Sequence, residues 1–544
     1  MCGIFALTQG EQYSDEFIEQ EFQKGKRRGP EHSQWKRFKN GVILGFHRLA
    51  INGLNEQSNQ PICIRGISLI CNGEIYNYKK LYKLMGITNP TTDSDCEVII
   101  YLYERYGIEQ TLNMLDGVFA FVLLDENKSE FFAARDPFGV RPLYYSYAEK
   151  NHHWDKSYVF GSEIKSIQNI HPFSEVVHFP PGSYISGQIK GENTYWDNIK
   201  SYFIPSIHIT LDWNCERNIR TFVCDAVRKR CITTERPVAC LLSGGLDSSL
   251  IAALVSGQFP ETPIETYSIG LAGSEDLKYA QLVANHIESN HCEVIVGEQE
   301  MFDAIPAVIE AIESYDTTTI RASLGNYLIG KYIAEHSEAK VIFNGDGSDE
   351  LFGGYLYMHK CPDDIEFDKE TRRLLKDIHM FDVLRSDKCI SSHGLEPRTP
   401  FLDRNLVNYV LSIEPHIRNH NNQKYPEKYL LRDAFDDYHE YDHADRLLPK
   451  EVLWRRKEAF SDGVCGQEKS LRTILQRKIC ELQNCEYLMD EPDKMLDIEK
   501  AYYRSIFESL YPRAEVIPYY WMPKYTEATD PSARTLNFYA ESVV

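Results

Sequence analysis

The sequence predicts a two-domain α/β protein: a strand-rich first half, a parallel α/β second half and a mainly helical end. Three observations carry this expectation. The chain has 544 residues, several times the length of an ordinary single domain. Residues 1 to about 200 alternate short β-favouring runs with polar turns. From Trp213 onward, short apolar runs of the buried-strand type alternate with helical patterns.

The first-half elements follow from local chemistry. Val118–Leu124 and Ser129–Ala134 flank the polar Asp125-Glu-Asn-Lys and read as a hairpin. Gly41–Phe46, Ile67–Ile70 and Pro142–Tyr147 read as further strands. Asp95–Arg105 has apolar residues near helical spacing after an acidic start, which predicts a helix. Phe179-Pro-Pro-Gly closes this half, and Asn193–Pro205 is the expected connection.

In the second half, Val238–Leu242 is an apolar run suited to the interior of a parallel sheet. A glycine-rich turn and a helix, Ser249–Val255, follow it. The strand Glu265–Ile269, a helix over 276–288, the strand Cys292–Val296 and the strand Lys340–Phe343 continue the alternation. That order predicts βαβ units and an open parallel sheet. Beyond Phe352 the chain reads as helical, and the end past Pro523 as flexible.

Composition excludes several functions. Hydrophobic residues make up 43% and charged residues 26%, an ordinary globular balance. The net charge of −21 repels polyphosphate backbones and anionic surfaces, so neither nucleic acid nor membrane is an expected partner. The longest apolar run, Val118–Leu124, is too short to span a bilayer. Met-Cys-Gly-Ile-Phe has no basic or apolar leader character, so the expected compartment is the cytoplasm and the 14 cysteines are expected as free thiols. No C-x-x-C pair suggests a metal or redox site.

Two loops carry the chemistry of the second half. Leu241-Leu-Ser-Gly-Gly-Leu-Asp-Ser-Ser lies between a buried strand and a helix. Its glycines, serines and helix start offer donors to phosphate oxygens. It lacks the lysine and spacing of a Walker loop. Asp247 would repel phosphate without a divalent cation between them, which suggests Mg²⁺ and release of pyrophosphate as a unit. Ligands of open α/β sheets bind beyond the strand ends, and Phe343-Asn-Gly-Asp-Gly-Ser-Asp-Glu brings Asp346, Asp349 and Glu350 to the same crevice. In the first half, Cys2 becomes terminal if Met1 is removed. Its α-amine, with an ordinary pKa of roughly 7.7–8.0, can then act as base toward its own thiol.

SGGLDSS, GDGSDELFGGY, YDTTTIRAS, EPRTPFLD and the N-terminal MCGI, in unbroken order, resemble the glutamine-hydrolysing asparagine synthetases. RRGPEH, HRLAI, CNGEIYN, TDSDCE and ARDPFGVRP resemble the class II glutamine amidotransferase domain. The resemblance implies an Ntn-hydrolase αββα sandwich over 2–195 and an ATP-pyrophosphatase-type parallel α/β domain over 213–523. It implies aspartate, glutamine and ATP as substrates, Mg²⁺ with ATP, and a homodimer with an internal ammonia passage.

The resemblance also implies roles. Cys2 is the nucleophile, with Asn72 and the Gly73 N–H as oxyanion hole. Arg48 takes the glutamine α-carboxylate, Glu74 and Asp95 its α-ammonium, and Leu49, Ala50, Ile51 and Asn52 give backbone contacts. Leu241 and Ile269 hold the adenine and ribose side, while Ser243, Gly244, Gly245, Asp247, Ser248, Asn344 and Gly345 hold the rest of the nucleotide. Asp247 and Asp349 are the implied Mg²⁺ ligands. Thr318, Arg321 and Glu350 are implied near aspartate and the intermediate. Lys457 is implied to neutralise departing pyrophosphate, and Asp346 to support the adenylate and manage the ammonia proton.

Three departures from the family pattern are visible. Arg27 and Glu31 replace a usual His and Asp, Leu49-Ala-Ile-Asn varies Leu-Ser-Ile-Val, and Asn344-Gly-Asp replaces Ser-Gly-Glu. Rival readings fare worse. SGGLDSS argues against a phosphoribosyl amidotransferase, and a β-lactam synthetase-like enzyme would not need Cys2. A silent storage or regulatory relative would not need Cys2, Arg48, Asp247 and Asp349 together.

Overall fold

The structure, a computed structural model, describes residues 1–149, 155–191, 193–206, 209, 214–423, 425–436, 446–457, 463, 470–485, 487 and 491–536. Trp213 and residues 458–462 lie outside the described residues.

The first half is built on two sheets. Gly3–Leu7 lies at the middle of the first, antiparallel to Ile43–Arg48 on one side and Lys156–Gly161 on the other. In the second, Gly117–Asp125 pairs antiparallel with Ile67–Ile75 and with Glu130–Arg135. The expected hairpin is therefore present. Strand periodicity decides the layering: Ala120, Val122 and Leu124 join Ile4, Leu44 and Phe46 in a core between the sheets. Phe119, Phe121 and Leu123 face the other way, against Ile99 and Leu102 of an outer helix. On the far side, Ile18 and Phe22 of the helix Asp15–Gln23 cover Phe5 and Ile43. The result is the αββα sandwich.

The helix expected over Asp95–Arg105 opens with a 3₁₀ turn, Asp95–Glu97, and continues as Val98–Met114. It is longer than expected because Ile108 and Leu112 extend the buried face. Gly107, at φ 77°, marks a kink within it.

The second half holds a parallel five-stranded sheet in the order Asn290–Ile295, Glu265–Gly270, Val238–Leu241, Val341–Phe343, Glu396–Arg398. Helices Leu246–Ser256, Glu275–His286 and Thr317–His336 connect these strands. The last strand adds a short extended segment to the region expected to be mainly helical beyond Phe352 and corrects it to that extent. It contains Pro397, which an edge strand tolerates because one side needs no ladder donor.

A second correction concerns the end of the chain. Ala514–Glu515 pairs with Val176–Val177 of the first sheet. Lys524 bonds Glu370 at 2.7 Å, Asp530 bonds Arg321 at 2.7 Å, and Leu536 is buried among Leu356, Phe367 and Trp521. The described residues past Pro523 are held, because their partners lie far away in sequence where local composition cannot reveal them. Among the described residues the cysteines are free thiols, and no helix is long and apolar enough to cross a membrane.

Candidate active sites

Cys2 is half-buried just before the strand Gly3–Leu7. Its carbonyl accepts from Arg28 Nε at 2.9 Å, and its Sγ lies 3.5 Å from the Leu49 carbonyl. Burial pushes the thiol pKa up, while Arg48 is close enough to oppose that shift. Met1 precedes it, its buried amine donating to the Leu395 carbonyl at 2.9 Å.

Arg48 ends a central strand and is buried. Its guanidinium donates to the Asn55 carbonyl and Asn59 Oδ1, both at 2.8 Å, and to the carbonyls of Asn52 and Gly53. Every one of these partners is a neutral oxygen, and burial lowers its pKa. A cation held only by neutral acceptors is matched to an incoming carboxylate.

Leu49, Ala50, Ile51 and Asn52 are all buried. The Ala50 N–H donates to Glu31 Oε2 at 2.7 Å, and its carbonyl accepts from Arg236 at 2.8 Å. Arg236 also bonds the other Glu31 oxygen at 2.7 Å. Glu31, one of the departures from the family pattern, thus braces this loop against the second half. Asn52 Nδ2 donates to Glu74 at 2.6 Å, and Asp95 accepts from the Ile75 N–H at 2.6 Å. Burial raises Asp95 to about 6 and lifts Glu74 well above the carboxylate range, with Asp95 adding repulsion to Glu74. Asn72 Nδ2 reaches Ser162 Oγ at 3.5 Å, leaving Asn72 Oδ1 buried without a partner. Gly73 has no room for a side chain, since a Cβ would sit 2.4 Å from the Val118 carbonyl.

The second site lies beyond the parallel strands. Leu241, Ser243, Gly245, Asp247, Ser248, Ile269, Thr318, Asn344, Gly345, Asp346, Asp349 and Lys457 all line one cavity. Its two loops touch backbone to backbone: a Cβ on Gly345 would lie 2.7 Å from the Asp247 backbone. Gly244 adopts φ +71°, a turn that suits glycine, and its carbonyl accepts from Arg455 at 3.0 Å.

Lys428 Nζ lies 2.5 Å from both Asp247 Oδ2 and Asp349 Oδ1, and Lys457 Nζ lies 2.6 Å from Asp349 Oδ2. Burial opposes ionisation of Asp349, yet the two ammonium groups outweigh it and hold the carboxyl well below its ordinary range. Asp247 Oδ1 stays buried without a hydrogen-bond partner. Two hard carboxylates with a spare oxygen suit Mg²⁺ held jointly with nucleotide phosphates. No described cluster of three protein ligands could hold a metal by itself.

Asp346 accepts from Arg385 Nη2 at 3.1 Å, and its other oxygen is buried and unpartnered. Asn344 donates to Ser386 Oγ at 2.6 Å, tying the loop to the helix Asp382–Ser391 that carries Arg385. Three implied residues, Gly244, Arg321 and Glu350, stand apart from the cavity lining. Arg321 is enclosed by Glu499 and Asp530, and Glu350 accepts from Tyr355 at 2.5 Å. Lys428, Arg385 and Trp521 line the cavity but were missed by sequence reasoning. Lys428, with φ +60°, sits where no motif marks it.

The fold and these sites define a two-domain protein joining a class II glutamine amidotransferase sandwich to a nucleotide-type parallel sheet. The glutamine amidotransferase domain family matches residues 1–203, and the asparagine synthase family matches 218–365 and 362–523. The chain is 41% identical to the glutamine-hydrolysing asparagine synthetase of Gallus gallus and 40% identical to that of Homo sapiens, with 100% of each chain covered. That of Bos taurus is 40% identical over 99% of both. The chain belongs to the glutamine-hydrolysing asparagine synthetases.

Proposed function

We propose that the chain converts ATP, L-aspartate, L-glutamine and water to AMP, diphosphate, L-asparagine and L-glutamate. The observation that carries this reading is the presence of both sites in one full-length match. Cys2 stands beside Arg48 in one half, and Asp247 and Asp349 are gathered by two touching loops in the other.

In the first site Arg48 takes the glutamine α-carboxylate, and Glu74 with Asp95 takes its α-ammonium. Removal of Met1 frees the Cys2 amine, which accepts the thiol proton as sulfur attacks the carboxamide. Asn72 and the Gly73 N–H stabilise the developing oxyanion. Ammonia leaves, and water releases glutamate from the thioester. Leu49–Asn52 shape this pocket.

In the second site Leu241 and Ile269 hold the adenine and ribose side. Ser243, Gly244, Gly245, Ser248, Asn344 and Gly345 hold the rest of the nucleotide. The side-chain carboxylate of aspartate displaces diphosphate from the α-phosphorus, because AMP is a far better leaving group than oxide. Asp247 and Asp349 would hold Mg²⁺, which lowers the charge on the phosphates. Lys457 and Lys428 balance charge on the departing diphosphate. Thr318 meets aspartate, and Glu350 supports the loop from behind. Asp346 accepts a proton as ammonia attacks the acyl carbon and AMP departs.

We place the division between the halves at 2–195 and 213–523. A homodimer and a cytoplasmic location rest on the resemblance. The test is product analysis with ATP, Mg²⁺, aspartate and glutamine. AMP, diphosphate, glutamate and asparagine in equal amounts are expected, and ADP with phosphate overturns the reading. Cys2→Ala should abolish glutamine-dependent synthesis and spare synthesis from ammonium salt.

A further inference from the structure

The motif YDTTTIRAS contains two charged residues, Asp316 and Arg321, and neither lines the cavity. Both hold the far end of the chain. Asp316 Oδ1 accepts the Trp521 N–H at 2.9 Å. Arg321 donates through three nitrogens to Glu499 and Asp530 at 2.5–2.9 Å, and all three side chains are buried. Gln476 Nε2 adds a bond to Glu499 at 3.0 Å. With four of its five N–H groups given to these two acids, the guanidinium serves them and not the cavity.

The segment that Asp316 and Arg321 hold does reach the cavity. Trp521 and Ala533 line the cavity. The Trp521 ring packs on Tyr355 at 5.2 Å, and Tyr519 packs on Phe381 at 5.4 Å. Phe381 adjoins Asp382, and Tyr355 lies close to Asp382 and to Arg385, which bonds Asp346, whereas Leu241 and Ile269 belong to strands of the parallel sheet.

We infer that residues 516–536 form a strap closing the acceptor end of the cavity, with Trp521 as its wall and Asp316 and Arg321 as positioning residues. The strap excludes water from the activated carboxylate. Without it, a water oxygen attacks the acyl carbon, AMP leaves, and aspartate is returned with no amide made. This rests on the reading of the cavity as the site of aspartate activation.

The test uses the full chain carrying Trp521→Ala, Trp521→Phe or Asp530→Asn, supplied with ATP, Mg²⁺, aspartate and ammonium salt. Trp521→Ala and Asp530→Asn are expected to release several AMP per asparagine and to raise KM for aspartate about tenfold. Trp521→Phe should stay near the parent ratio, and glutaminase should be unchanged in all three. Hydrogen exchange gives a readout independent of chemistry: amides of 516–536 should exchange at least tenfold faster in Asp530→Asn, with the parallel sheet unaffected. A parent chain that makes ADP or no asparagine refutes the reaction, whereas the exchange result still judges the latch. Equal proportional loss of AMP and asparagine in Trp521→Ala, or unchanged exchange in Asp530→Asn, overturns the strap.

Discussion

Arg28 of the first half donates to Asp387 of the second at 2.7 Å, with both side chains buried. The same guanidinium bonds the Cys2 carbonyl, Glu163 and Ser391. It therefore fixes the Cys2 backbone and fastens the seam at once. Arg28→Ala leaves two acids buried with diminished pairing, a loss of about 3–5 kcal/mol. Calorimetry should show a lower Tm, and glutaminase should slow as the Cys2 backbone loosens. A parent-like Tm would show that the pair contributes little net stability.

The carboxylates Glu74 and Asp95 of the proposed glutamine site predict a pH dependence. Burial raises Asp95 to about 6 from an ordinary 3.8, so the folded protein holds this proton more tightly than the unfolded chain. Its contribution to stability is full below pH 3.8 and is lost as pH rises toward 6, on the order of 3 kcal/mol. The α-ammonium of glutamine prefers the ionised form, so KM for glutamine should fall as pH rises through about 6. Asp95→Asn should melt higher at neutral pH and bind glutamine less well. An unchanged KM for glutamine in that variant would remove Asp95 from the site.

Asp346 departs from the Glu of the family pattern by one methylene, and Arg385 holds it at 3.1 Å. Asp346→Ala should lower asparagine formation about a hundredfold while glutaminase continues. Asp346→Glu should recover part of the rate, since Arg385 and the Asn344 tether fit the shorter side chain. Normal synthesis by Asp346→Ala would make it a polar loop residue.

Lys428 places one ammonium group between Asp247 and Asp349. Lys428→Met should slow synthesis about a hundredfold with glutaminase intact. The apparent requirement for Mg²⁺ should fall, because the two acids lose a competing cation. A variant with parent-like rate and Mg²⁺ dependence would assign Lys428 to packing alone.

The hairpin was legible because two β-favouring runs flank a polar turn, whereas the αββα layering came from the family resemblance: Phe119 to Leu124 are apolar throughout and alternate between two cores only in the fold. The phosphate turn and the acidic loop were legible because each is contiguous and follows an apolar strand. Lys428 was not, since its partner Asp247 lies 181 residues away and no pattern surrounds it. Arg385 is hidden likewise among ordinary helix residues. The Glu396–Arg398 strand was obscured by its proline. Glu31 read only as a departure until Arg236 and the Ala50 N–H supplied its partners.

Arg321 and Asp530 are separated by 209 residues. At roughly 5–20 residues per second of translation, Arg321 is synthesised about 10–40 s before the acid that completes its pairing exists. Through that interval the nascent second half carries a guanidinium destined for burial but still short of a counter-charge. Its natural resting place is at the surface, in water. The helix Thr317–His336 therefore gains its full set of buried partners only once Asp530 has been made.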